Sequence, residues 1–154
     1  MEEIEKFIVF VLNDQAYGVD VKQVLSIERM PMITEVPKTP DFIKGIAHLR
    51  GETTPIIDLK ERLHITETKQ TADNHVLVVH IDERLPVGLI VDAANEVITI
   101  PATVIEPAPR LIGGVDQAFL KGIAKLDEKL LILLDLERIL DIHEVREIQE
   151  AIKK

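Results

Sequence analysis

Residues 42–63 read FIKGIAHLRGETTPIIDLKERL, and residues 119–140 read FLKGIAKLDEKLLILLDLERIL, 77 positions later and without a gap. Nine of the 22 positions are identical: Phe, Lys, Gly, Ile, Ala and Leu, then Asp, Leu and a final Leu. Each copy is apolar, breaks once at a turn, and ends on an Asp followed by helix-forming residues. The spacing predicts a buried hairpin used twice. The turns differ: Arg50-Gly51 in the first copy stands where Asp127-Glu128 stands in the second.

The repeat extends outward from these hairpins. Tyr17-Gly18-Val19-Asp20, with Val24 and Ile27, is echoed by Val87-Gly88-Leu89-Ile90-Val91-Asp92, with Val97 and Ile100. A proline-bearing segment follows in each copy, Met30–Pro40 or Pro101–Pro109. This predicts two homologous lobes, about 5–68 and 74–142, joined by the polar stretch Thr66–Asn74. Short runs rich in Val, Ile, Leu and Phe predict strands at Lys6–Leu12, Ala16–Val19, Ile46–Leu49, Pro55–Ile57, His75–Ile81, Leu85–Val91, Gly122–Leu126 and Leu130–Leu134. Asn13-Asp14 and Asp82-Glu83-Arg84 read as hairpin turns. Many short strands between tight turns argue for a mainly β fold of small barrels. Pro55 removes one ladder donor, which predicts a sheet edge or bulge there.

Three aspartates read as structural caps. Asp58-Leu59-Lys60-Glu61 has the spacing of a capping box, and Asp135 repeats the placement. Asp141-Ile142-His143-Glu144 is a further box. It opens a predicted C-terminal helix over about 142–153, with Ile142, Val145, Ile148 and Ile152 near one face.

Composition narrows the function classes. Of 154 residues, 46% are hydrophobic, with one Tyr, four Phe and no Trp, so the interior is aliphatic. The absence of cysteine removes disulfides, thiolate metal sites and Cys nucleophiles. With 18 Lys and Arg against 27 Asp and Glu, the net charge is −9 and no basic run offsets it. Binding to nucleic acid or to an anionic membrane surface is disfavoured. The start, MEEIEKFIVFVL, is acidic, unlike a signal peptide, and no apolar run approaches the roughly 20 residues of a membrane span. A cytoplasmic location is expected.

No catalytic constellation emerges. Asp58 and Asp135 serve better as caps than as an acid–base pair. The five histidines, His48, His64, His75, His80 and His143, include no His-x-His or His-x₃-His pair, so no metal site and no cofactor are expected. Ser26 lacks a nucleophile-elbow context. Arg50 stands apart, because its twin shows that the hairpin does not require a cation at the turn. A recognition role is expected for it.

The motifs Tyr17-Gly18-Val19-Asp20, Thr39-Pro40-x-Phe42-Ile43-Lys44-Gly45-Ile46 and Leu49-Arg50-Gly51-x₃-Pro55-x₂-Asp58-Leu59 resemble those of CheW-like adaptors of bacterial chemotaxis, over essentially the whole chain. The resemblance implies two SH3-like five-stranded β-barrel lobes related by a pseudo-twofold. It implies a non-enzymatic protein that couples chemoreceptors to the CheA histidine kinase, recruited from the cytoplasm to membrane receptor arrays. Its partners would be the chemoreceptor cytoplasmic tip and the CheA regulatory domain. The receptor helix would lie in a groove between barrels, for which we expect Val24, Ser26, Ile27, Leu49, Arg50 and Gly51. The family often has an acid where Ser26 stands and Asn where His48 stands. Two other readings fit a weaker likeness: a CheW-like domain of the kinase or of a CheV-type protein, and a small-molecule enzyme. The short acidic start and capped end favour a free-standing adaptor.

Overall fold

The structure, a computed structural model, describes residues 3–37, 39–65, 74–80, 86–112, 115–127 and 129–140. The expected turn at Asp82–Arg84, most of the Thr66–Asn74 linker, the Asp141 cap and the helix over 142–153 lie outside these residues. Among the described residues there are thirteen strands, in keeping with the mainly β expectation. They are β1 (Ile4–Leu12), β2 (Gln15–Asp20), β3 (Val24–Arg29), β4 (Ile43–Leu49), β5 (Glu52–Asp58), β6 (His75–His80), β7 (Pro86–Val91), β8 (Ala93–Pro101), β9 (Ile105–Glu106), β10 (Leu111–Ile112), β11 (Val115–Asp116), β12 (Leu120–Leu126) and β13 (Lys129–Leu134). Two single-turn helices follow the repeated hairpins, α1 (Leu59–Arg62) and α2 (Leu136–Ile139). No helix among the described residues is long and apolar enough to cross a membrane.

The strands form a five-stranded sheet, β3-β6-β7-β5-β4, a six-stranded sheet, β8-β1-β2-β13-β12-β9, and a small β10-β11 ribbon. The two sequence copies are therefore not two lobes in space. Each copy gives its leading hairpin to the other. The β1–β2 hairpin joins the second copy through parallel pairing of Gly18 with Leu133, and β6–β7 joins the first through pairing of Gly88 with Ile56. The equivalence of these pairs shows that the repeat is real while its boundaries are not those of the sheets.

The recurring Gly-Ile-Ala has a cause. In β4, Ile46 exchanges both backbone bonds with Thr34 at 2.8 Å, and in β12, Ile123 pairs with Glu106. A crossing segment thus lies directly against the preceding glycine. A Cβ on Gly45, whose φ is +141°, would sit 2.1 Å from the Thr34 carbonyl oxygen, and one on Gly122 would sit 2.7 Å from that of Glu106. Only glycine leaves that room.

Pro55 is not at a sheet edge, since β5 is an interior strand, but it does lie beside a bulge, the β4–β5 register shifting between Ile43 and Gly45 next to the Ile46–Pro55 pair. Its partner Ile46 directs its own bonds to Thr34, and the β7 pairing begins one residue later, at Ile56. Pro55 therefore occupies a position where the ladder asks for no donor.

Three apolar clusters hold the molecule together. Ala47, Leu49, Ile56, Val76 and Val78 fill the inside of the five-stranded sheet. Phe7, Val9, Ile100, Ala124, Leu131 and Leu133 do the same for the six-stranded one. The third cluster spans both sheets and includes Ile8, Phe10, Tyr17, Ile57, Leu59, Leu77, Val79, Leu89, Ile132 and Ile139. Alternation along β1 and β6 sends successive residues to the private and the shared core.

Candidate functional site

The β4–β5 connection is a two-residue turn, since Leu49 pairs with Glu52. Arg50 has φ +54° and Gly51 φ +78°, the backbone of a type I′ hairpin turn. The twin residue Asp127 has φ +47°, and the other two-residue turn, Asn13-Asp14, has φ +48° and +67°. Asn and Asp tolerate this left-handed region well, whereas Arg does not. Arg50 therefore stands against local preference, which sharpens the case that its charge is used.

Arg50 is exposed, and its Nη1 donates to the Leu25 carbonyl at 2.9 Å. That carbonyl is reached because β3 bulges between Val24 and Ser26, putting Leu25 out of register with β6. Leu25, Leu49, Arg50, Glu52, Thr54, Val78, His80 and Pro86 line a depression of about 330 Å³ at this end of the sheet. Its buried lining is Leu49, Thr54 and Val78, and Arg50, Glu52 and His80 stand more open to solvent.

The bulge divides the expected groove residues. Val24 pairs with Val79 and Ile27 with Leu77, so both lie on the side of the shared core. Ser26 pairs with Val78 and Glu28 with Val76, on the side of the private core. Leu49, Arg50 and Gly51 are brought together at the turn, but Val24, Ser26 and Ile27 do not join them. Val24 packs against the shared core, and the Ser26 hydroxyl is buried without a hydrogen-bond partner among the described residues. Ile27 remains 38% exposed.

Leu25, Val97 and Met32 were missed by the sequence reading. Val97 pairs with Ile8 of the shared core across a matching bulge in β1–β8, which makes it the structural twin of Ile27. It is 56% exposed. On the edge strand β3 and the chain beyond it, Leu25, Ile27, Met30 and Met32 are each exposed. The signal available in sequence was the offset of 70 between Gly18 and Gly88, which, carried on without a gap, matches Val97 with Ile27 and not with Val24.

Asp58 caps α1 as expected, its Oδ1 accepting from the N–H of Lys60 at 3.0 Å and of Glu61 at 3.4 Å. Asp135 accepts from the Glu137 N–H at 3.1 Å. The capping box closes on one side only, because Glu61 Oε1 turns to Lys44 Nζ at 2.8 Å. Burial raises the Asp58 carboxyl above its ordinary 3.8; the Glu61 N–H opposes this, the Glu61 carboxylate adds to it, and Lys44 and the Lys60 N–H oppose it. A carboxyl raised in the folded state favours folding when protonated, so its contribution is lost as pH climbs through the raised value. Asp58→Ala should cost about 0.5–2 kcal/mol by losing the cap. Asp58→Asn keeps the acceptor without the charge, and its stability relative to wild type should grow as pH rises from 3.8 toward neutrality. Melting curves of both variants across pH check this; equal losses in Ala and Asn would remove the cap explanation.

Residues 6–144 match the family model described as CheW-like domain. The chemotaxis protein CheW of Klebsiella aerogenes is 33% identical over 149 residues, 97% of this chain and 89% of that protein. CheW of Bacillus subtilis is 37% identical over 137 residues, 89% of this chain and 87% of its own. The crystal structure of the scaffolding protein TtCheW from Thermoanaerobacter tengcongensis aligns with a TM-score of 0.81 at 38% identity, covering 94% of this chain and 92% of that one. A family match over most of the chain, with full-length relatives and a shared fold, places this protein in the CheW-like family.

Proposed function

We propose that this protein is a non-enzymatic adaptor that couples the chemoreceptor cytoplasmic tip to the CheA histidine kinase regulatory domain. The observation that carries the reading is the pair of exposed, pseudo-equivalent apolar residues, Ile27 and Val97, one on each sheet and both over the shared core. A helix laid between sheets needs apolar walls on both sides and a few polar anchors. Ile27 and Val97 supply the walls. Arg50, at the end of the β3 edge, supplies a cation for a receptor carboxylate or for helix-end carbonyls. Leu49 and Gly51 then serve by shaping the turn that presents Arg50, and Val24 and Ser26 by supporting β3. The kinase domain takes a separate face of the sheets. In the cell such an adaptor works in the cytoplasm and is recruited to membrane receptor arrays.

Reconstitution tests the coupling. Kinase autophosphorylation on receptor-bearing membranes should become receptor-controlled when the protein is added. Val97→Asp should abolish that control while leaving a folded protein. Receptor control that persists with Val97→Asp would remove the groove from the account.

A further inference from the structure

Arg62 and Ile139 are 77 positions apart, and so are Phe42 and Phe119: both pairs are equivalents within the repeat. The structure joins all four. Arg62 Nε donates to the Ile139 carbonyl at 2.7 Å, and its Cζ lies 5.1 Å from the Phe42 ring centre and 5.3 Å from that of Phe119. Near-equal distances to equivalent rings put the guanidinium on the pseudo-twofold axis itself. Phe42 leads into β4 of the five-stranded sheet and Phe119 into β12 of the six-stranded one, so one side chain grips both sheets. A second arginine at 139 would set two cations on the axis. The copies must differ there, and Ile139 is fully buried instead.

We propose that Arg62 is a positioning residue: it fixes the angle between the two sheets, and through that angle the width of the groove between Ile27 and Val97, without touching a partner. Contact across the shared apolar core is non-directional, so the relative orientation of the sheets falls to directional contacts, those of Arg62 and those of the buried Lys60–Asp92–Asn13 cluster. The Arg62 contacts are directional. A planar cation between two rings, with one N–H held to a carbonyl, admits a single orientation of the sheets. The inference rests on the groove reading above, and its test separates the two.

The chain has no cysteine, so labels can be placed at will. Thr53→Cys on β5 and Lys125→Cys on β12 put one spin label on each sheet, both at exposed positions, and fragment affinity is read on the unlabelled proteins. Wild type should give one narrow distance. Arg62→Lys keeps the charge but cannot stack on both rings and reach Ile139 together. It should broaden or shift the distance and weaken binding of a soluble coiled-coil fragment of the receptor tip about tenfold, the scale of two lost cation–π contacts. The swap Arg62→Ile with Ile139→Arg returns a guanidinium to the axis from the other side and should restore both readouts. An unchanged distance in folded Arg62→Lys, or a swapped protein that folds with a broadened distance, would overturn the proposal. So would a broadened distance with wild-type fragment affinity, provided Val97→Asp still abolishes binding. If Val97→Asp also binds normally, the groove reading fails instead, and the distances alone decide the role of Arg62.

Discussion

Lys60→Met should lower the unfolding free energy by about 3–5 kcal/mol, a large share of what a domain of this size possesses. Lys60 Nζ lies 2.8 Å from Asp92 Oδ1, with side-chain exposures of 8% and 5%. It also reaches Asn13 Oδ1 at 3.3 Å. Asp92 accepts the Asn13 N–H at 2.8 Å through Oδ2, and its own N–H bonds the Val11 carbonyl at 3.0 Å. The network ties α1, the β1–β2 turn and the end of β7, and so joins the two sheets at a second point beside Arg62. Removing the ammonium leaves a buried carboxylate with one neutral donor. Adding Asp92→Asn removes the stranded charge and keeps the acceptor for Asn13, so the double variant should recover most of the loss. Urea unfolding of the three proteins measures this. A Lys60→Met loss below about 1 kcal/mol, the range of exposed ion pairs, would mean that water reaches Asp92.

Arg50→Asp should leave stability within about ±0.5 kcal/mol of wild type. The mutation loses the exposed bond to the Leu25 carbonyl and gains a residue that suits the left-handed turn, as Asp127 does in the twin. Receptor affinity should nonetheless fall by about 2–5 kcal/mol if the cation is paired and desolvated in the complex. The lower end is already about thirtyfold. Kinase-domain affinity should stay near wild type. Titrations against receptor-tip and kinase fragments, with melting curves alongside, read all three quantities. Equal receptor affinity in a folded Arg50→Asp protein would return Arg50 to the ordinary solvated surface.

The local signals in the sequence were faithful and the long-range ones were silent. Aliphatic runs marked β1, β2, β4, β5, β6, β7, β12 and β13, because each is bounded by turn residues and buried on one or both faces. Strands β3 and β8 escaped notice for a physical reason: each carries a bulge and exposed positions, and the alternation of Leu25-Ser26-Ile27-Glu28 rests on only two apolar residues. The exchange of hairpins was hidden because parallel pairing of Gly18 with Leu133, 115 residues apart, leaves no mark on either segment alone. The Asp58 and Asp135 caps were readable, since a cap is made with the next three residues. The two-residue turn that carries Arg50 was readable through its contrast with Asp127. The contacts of Arg62 were not: opposite Ile139 it looks like an ordinary substitution, and only the fold shows that it reaches the Ile139 carbonyl and both phenylalanine rings. Lys60 and Asp92 gave no sign of meeting, because a buried ion pair has no local pattern.

An adaptor that holds receptor and kinase on separate surfaces must bind both at once. Sedimentation of the protein with both a soluble receptor-tip fragment and the kinase regulatory domain tests it directly. The expected result is a single boundary containing all three, which Arg50→Asp reduces to the adaptor–kinase pair. Displacement of one partner by the other, with no ternary species at any ratio, would contradict it.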